Sequence, residues 1–367
     1  MNFDFSDDQH LLRDQARRFL ADRCGREKVR AILEGKAPFD RELWRGVVEM
    51  GWTGIAIPEA DGGLGLGHLE LCVVAEELGR VLAPIPFAST VYLFAEGLML
   101  AGHRALLPRI AAGEVIGCLA LAEGPSAPTA GKLAARVEGG RLSGVKTPVT
   151  DGDIADYAIV AARDGKGVSW YLADLTAPGV SRRPLKTVDP TRSHAALAFD
   201  QVPVEPLGAP GEGWSLTDRL FDRAAVLMAF EQVGSAEVCL ETARDFALSR
   251  YAFGRPIGSF QAIKHKLADV YCAVQLARSN AYYGAWALST GAPELPIAAA
   301  GARVAATDGH WLAAKESIQT HGGMGYTWEA DCHLHYRRAK HLGLALGSVR
   351  RWKDMLISRL EAGNLAA

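Results

Sequence analysis

The chain has 367 residues, 49% hydrophobic and 22% charged, enough to bury more than one core; its formal net charge of -2 leaves no basic field to gather nucleic acid and no acidic tail to draw a charged partner. Met1 to His10 carries Asp4, Asp7 and Asp8 where a secretory signal needs a basic end and an unbroken apolar run, so a cytoplasmic protein is expected. Six cysteines (Cys24, Cys72, Cys118, Cys239, Cys272, Cys332) include no Cys-x-x-Cys pair, and His333 and His335 fall on different faces of a helix, so neither a disulfide framework nor a metal site is expected.

Ser6-Asp7-Asp8-Gln9 reads as a capping box, and Leu12, Ala16, Phe19 and Leu20 then recur at helical spacing. The helical pattern continues through residues 41–50 and 69–81, interrupted by the Gly-rich loop at 61–67. That loop lacks a preceding strand, an acidic partner and a following Lys-Ser/Thr, so it does not read as a phosphate cradle. The most apolar stretch, 84–102, is broken by Pro86, Glu96 and Gly97 and falls short of the ~20 apolar residues that cross a bilayer. From about Val115 the texture changes to short apolar runs punctuated by turn residues. Strands are expected at 118–122, 132–137, 142–149, 157–162, 168–172 and 195–199. From Ser215 the helical period returns almost to the end, with breaks at 254–258, 291–296 and 322–325, which fits three or four long helices.

Three segments carry a resemblance: Pro58-Glu59-Ala60-Asp61-Gly62-Gly63-Leu64-Gly65, then Arg250 to Gln261, then Gln319-Thr320-His321-Gly322-Gly323-Met324-Gly325-Tyr326-Thr327. Together, in this order around a β middle, they resemble the acyl-CoA dehydrogenase family over nearly the whole chain. The resemblance implies an N-terminal helical domain (1–115), a middle β-barrel-like domain (116–208) and a C-terminal four-helix bundle (209–367), assembled as dimers or tetramers. It implies FAD as cofactor, an acyl-CoA thioester as substrate, a homologous subunit as partner in a homo- or hetero-oligomer, and an electron-transferring flavoprotein as electron acceptor. Sterol side-chain and dicarboxylic acyl-CoA degradation are the settings it suggests for heteromeric pairing.

The residue chemistry can be stated beside the resemblance. Arg250 offers a planar, permanently charged fork suited to a pyrophosphate, Phe253 can pack on a flat ring, and the Gln261 carboxamide serves both donor and acceptor edges of a nucleotide. Gln319, Gly322 and Gly323 belong to a turn whose glycines let backbone approach a bulky ligand; a surface arginine, a core phenylalanine and a helix-ending turn are the alternatives. Gly144 to Asp151 resembles the strand that lies against the flavin ring in the family, which would bring Thr150 close to the flavin. Pro148 stands where relatives carry an aromatic residue, and the flavin loop is shortened to residues 122–128. Asp222 and Arg223 match a position that holds the coenzyme A or thioester portion, with an ordinary helix-surface ion pair as the alternative.

The reaction needs a carboxylate to remove the proton α to the thioester. Leu346 stands at the family's common base position, and Ala224 at the second position that some relatives use. Ala225 occupies the place of a supporting arginine. Glu231, two helical turns after Ala224 in an apolar stretch, is the remaining candidate base; the alternative is a packing carboxylate bonded to Gln, Arg or backbone.

Overall fold

The computed structural model describes residues 5–366; residues 1–4, which include Asp4 of the amino-terminal reading, and residue 367 lie outside it. Helix α1 (Asp7–Arg23) starts at the expected capping box, where Ser6 Oγ accepts the Gln9 N–H at 3.3 Å and Gln9 Oε1 accepts the Ser6 N–H at 3.0 Å. Two donors that a helix start leaves open are thereby satisfied. α2 (Arg26–Leu33), α3 (Arg41–Glu49) and α4 (His68–Val81) follow.

The Gly-rich loop before α4 folds on itself. Gly63, Leu64, Gly65 and Leu66 donate their N–H groups to the carbonyls of Pro58, Gly54, Ile57 and Ile55. A Cβ on Gly63 would lie 2.1 Å from the Ile57 oxygen, so glycine is required by this approach, and N–H groups committed to the loop's own carbonyls are not offered to a phosphate. The apolar stretch after α4 becomes a fully buried π-helix (Ala88–Ala95) running into α5 (Glu96–Leu100), with α6 (Leu107–Ala111) beyond. Among the described residues no helix is long and apolar enough to cross a membrane.

Eight strands then form one sheet: β1 (Gly117–Ala120), β2 (Arg136–Glu138), β3 (Arg141–Thr150), β4 (Tyr157–Asp164), β5 (Gly167–Asp174), β6 (Val180–Pro184), β7 (His194–Pro203) and β8 (Glu205–Leu207). The order is β6-β7-β3-β2-β4-β5-β8, with β1 parallel to β4. Two of these, β6 and β8, lack the apolar alternation that marks a strand in sequence. The strand expected from Lys132 begins only at Arg136 because side chains take its earlier backbone groups: Glu123 accepts the N–H groups of Ala134 and Ala135, and Arg163 donates to the Leu133 carbonyl. Pro148, which has no N–H to give, sits where the β3–β7 register shifts between Lys146 and Val149. Leu142, Val149, Val160, Leu197, Phe199 and Val202 belong to the core of this sheet.

The last part of the chain is helical: α7 (Gly213–Ser249), a two-stranded hairpin of β9 (Tyr251–Ala252) and β10 (Arg255–Pro256), then α8 (Gln261–Thr290), α9 (Leu295–His321), α10 (Cys332–Ala345) and α11 (Val349–Ala366). Three of its interruptions fall at the predicted breaks, and a fourth, at 346–348 between α10 and α11, was not foreseen, so five helices stand where three or four were expected. Gly291 ends α8 in the left-handed region at φ +62°, a conformation glycine reaches without steric cost.

The chain divides into two compact units. One contains Arg30–Gly67 and Pro84–Ala224, hence the sheet and the π-helix; the other contains the described residues up to Val29, His68–Ala83, and those from Ala225 onward. In the second, α4 and α7 cross at two glycines. A Cβ on Gly79 would lie 2.0 Å from the Glu231 oxygen, and one on Gly234 would lie 2.0 Å from the Glu76 oxygen, so any side chain would force the helices apart. Arginines tie the same helices: Arg80 bonds Glu237 at 2.6 Å, and Arg278 of α8 bonds Glu76 at 2.6 Å and Glu237 at 3.0 Å.

Candidate functional site

In the helical unit, two of the three segments singled out in sequence, 250–261 and 319–327, lie at one end of the bundle. Phe246 near the end of α7 stacks on His321 at the end of α9, ring centroids 4.3 Å apart, and Lys266 in the second turn of α8 bonds Glu316 of α9 at 2.9 Å. These contacts bring the start of α8, with Gln261, beside the end of α9, with Gln319. Arg250, Gln261, Gln319, Gly322 and Gly323 are all exposed.

The hairpin between α7 and α8 turns at Phe253-Gly254, with φ of +53° and +78°. Two successive left-handed residues match the twist of a two-residue hairpin, but a bulky side chain is uncommon there and strained. Phe253 is nevertheless 96% exposed, so neither packing nor backbone preference within this chain accounts for it. Its nearest ring is Phe260, edge-on at 6.3 Å, with the Arg255 guanidinium over the other aromatic at 4.1 Å. Across the same end, Met324, Tyr326 and Trp328 are 51%, 81% and 48% exposed. Nothing within 4 Å occupies the space that a Cβ would take on Gly254, Gly322 or Gly323. This surface has a cationic fork, an exposed ring, two carboxamides and open backbone. Those are the features that hold a nucleotide with its pyrophosphate, and the residues fit FAD.

Glu231 lies elsewhere, in the core of the helical unit. It is 1% exposed and bonds Arg338, also 1% exposed, at 3.1 Å. Around it Gln232 accepts from Arg303 at 2.7 Å, Arg303 also donates to the Leu342 carbonyl, and Ser235 pairs with His335 at 2.7 Å. Burial lowers the Arg303 guanidinium to about 10, against the attraction of Glu231. Burial, with Arg338 and Arg303 beside it, holds His310 down to about 3, and His335 is likewise held well below its usual value by burial. Glu231 faces two buried guanidinium groups, Arg338 at 3.1 Å and Arg303 nearby. This geometry matches the packing alternative foreseen for it. Ala224 is fully buried, and Leu346 is 1% exposed with its carbonyl held by the Trp352 indole N–H at 3.0 Å, so the two positions that the resemblance matched to the family's base carry core-packed apolar side chains.

The sheet unit holds the other candidates. Thr150 ends β3 directly opposite His194, the first residue of β7, and Thr150 Oγ1 lies 3.1 Å from His194 Nε2. The shortened loop is pinned by Glu123, whose carboxylate also takes the Lys146 ammonium at 2.6 Å. Burial pushes the Glu123 carboxyl up, but Lys146 and the two backbone N–H groups outweigh it and hold it below the usual range. Arg223 bonds Glu96 of α5 at 3.4 Å and is partly open, while Asp222 is buried. Sequence reasoning named neither His194 nor Glu96 as a site residue. Each matters through a partner 44 or 127 positions away, and no local spacing signals that. Among the described residues no cluster of His, Cys, Asp and Glu is placed to hold a metal.

Comparison with known proteins gives the chain a family. Residues 6–114 match the model described as acyl-CoA dehydrogenase, N-terminal domain, and residues 211–359 match that of the acyl-CoA dehydrogenase C-terminal domain. The chain is similar to the acyl-CoA dehydrogenase IpdE2 of Mycobacterium tuberculosis, 36% identical over 360 residues and 97% of each chain. Among solved structures it resembles the Tcur3481-Tcur3483 steroid ACAD (30% identity, TM-score 0.88, 98% and 99% of the chains covered) and the ChsE4-ChsE5 complex of Mycobacterium tuberculosis (27%, 0.89, 98% and 99%). Helical ends around a β middle, and these matches along nearly its full length, make the chain a member of the acyl-CoA dehydrogenase family of oxidoreductases.

Proposed function

We propose that this chain is one subunit of a hetero-oligomeric, FAD-dependent acyl-CoA dehydrogenase, in which the general base comes from a homologous subunit. When bound, FAD supplies the acceptor for the β hydrogen. The chain's own residues bind and orient. Arg250, Gln261, Gln319, Gly322 and Gly323 take the nucleotide half of a flavin held by the neighbouring subunit, and Phe253 packs on its planar part; Thr150, in the sheet unit, faces the ring of a flavin that this chain holds. Arg223 and Asp222 hold the thioester or coenzyme A portion, with Glu96 fixing the guanidinium. Because Leu346 and Ala224 stand at the positions that the resemblance matches to the family's base, and Glu231 is ion-paired with Arg338, the α proton is taken by the partner.

The observation that carries this reading is Phe253: strained, 96% exposed and aimed away from its own chain, it makes sense as a residue whose contact lies on another protomer. The two-component names of the Tcur3481-Tcur3483 and ChsE4-ChsE5 relatives support hetero-oligomerisation, and the word steroid in the first supports a bulky, ring-bearing acyl chain. A cytoplasmic location and an electron-transferring flavoprotein as acceptor belong to the same proposal. The test is Phe253→Asp, with sedimentation and flavin content measured together. The reading expects an unchanged fold with FAD lost and the assembly weakened; a variant that keeps both FAD and assembly size contradicts it.

A further inference from the structure

The Thr150–His194 pair fixes more than a position. His194 Nδ1 lies 3.0 Å from the Arg192 carbonyl oxygen, which can only accept a hydrogen bond, so Nδ1 carries the proton. A neutral imidazole then has only a lone pair at Nε2, and that nitrogen faces Thr150 Oγ1 at 3.1 Å. Opposite the neutral ring, the threonine hydroxyl donates its single proton to His194. The frame around the pair is rigid: Asp151, held at φ +55°, donates its N–H to the Ser193 carbonyl at 2.8 Å, and its buried carboxylate accepts from Ser89 at 2.6 Å and Ser193 at 3.2 Å.

We propose that His194 is a positioning residue for the flavin: by taking the hydroxyl proton of Thr150 it leaves that oxygen able only to accept a hydrogen bond from the ring it faces. This rests on the reading above that Thr150 lies against the flavin. An acceptor oxygen would suit a ring nitrogen that gains a proton on two-electron reduction and would not suit the same nitrogen bare, as in the oxidised ring. The pair therefore favours the reduced cofactor.

Two measurements test it. In the full chain labelled with 15N-histidine, the His194 resonances, identified by their loss in His194→Gln, are expected in the neutral Nδ1–H tautomer, with Nε2 shifted by Thr150→Val. Protonation at Nε2, or a ring indifferent to Thr150→Val, overturns the proposal without reference to any cofactor. In the assembled flavoprotein, His194→Phe is expected to move the flavin midpoint potential downward, and His194→Gln, which keeps an acceptor, to restore most of it. An unmoved or raised potential in His194→Phe, with FAD bound as in the parent, overturns the proposal and leaves the functional reading standing. A parent chain that takes up no FAD with any homologous partner overturns the functional reading and this inference together, whatever the tautomer.

Discussion

Replacing Glu231 by glutamine separates a structural carboxylate from a catalytic one. Both members of the Glu231–Arg338 pair are 1% exposed, and Arg303 nearby is fully buried, so the substitution removes a buried negative charge that faces Arg338 at 3.1 Å in the helical core. Removing one partner of a buried pair costs about 3–5 kcal/mol, and glutamine, which keeps the shape and an acceptor for Arg338, falls near ~3 kcal/mol. The double variant Glu231→Gln, Arg338→Met removes the facing guanidinium as well and recovers most of the loss, because replacing a whole buried pair is often neutral. Urea unfolding of the chain, followed by tryptophan fluorescence, reads the stability. Acyl-CoA-dependent flavin reduction in the assembled enzyme reads the chemistry. A structural Glu231 gives the ~3 kcal/mol loss with the reduction rate unchanged. A base would instead cost about 10²–10⁴-fold in rate, and that result with stability within ~0.5 kcal/mol of the parent would refute the assignment.

Other outcomes follow from the same core. His310 is held down to about 3 against an ordinary 6.5, chiefly by burial, so as pH falls below 6.5 the unfolded chain takes up a proton that the folded chain refuses. Stability present above pH 6.5 is thus lost on acidification, by about 2 kcal/mol between pH 6.5 and pH 5 at ~1.4 kcal/mol per unit. His310→Gln removes this component, so the gap between parent and variant in urea unfolding narrows by that amount from pH 7 to pH 5; parallel curves contradict it. Gly234→Ala would set a Cβ 2.0 Å from the Glu76 carbonyl oxygen and separate α4 from α7, costing about 1–3 kcal/mol or more. A variant within ~0.5 kcal/mol of the parent by urea unfolding would show that the crossing relaxes freely.

Local chemistry made much of the fold legible. Ser6 and Gln9 announced the start of α1, Gly291 and Gly322 marked where long helices stop, and short apolar runs between turn residues found β3, β4, β5 and β7. Strands β6 and β8 escaped notice because Ser181, Arg182, Arg183, Glu205 and Pro206 are polar or cannot donate, and only pairing with β7 and β5 makes them strands. The site was legible where the family resemblance rests on contiguous motifs, as in Arg250 to Gln261. It was illegible where function arises across strands or helices. Glu231 looked like a lone carboxylate in an apolar helix because Arg338 lies 107 residues away, and His194 looked like the edge of a strand because its partner, Thr150, is reached only through register.

The central claim is that the flavin site is completed by a second, homologous subunit. Its most direct test is the visible spectrum of this chain purified alone and again after co-purification with a candidate partner. The account predicts a colourless chain that becomes yellow only in the complex, with the colour bleached anaerobically by an acyl-CoA. A chain that is yellow by itself and bleached by the same thioester would contradict it.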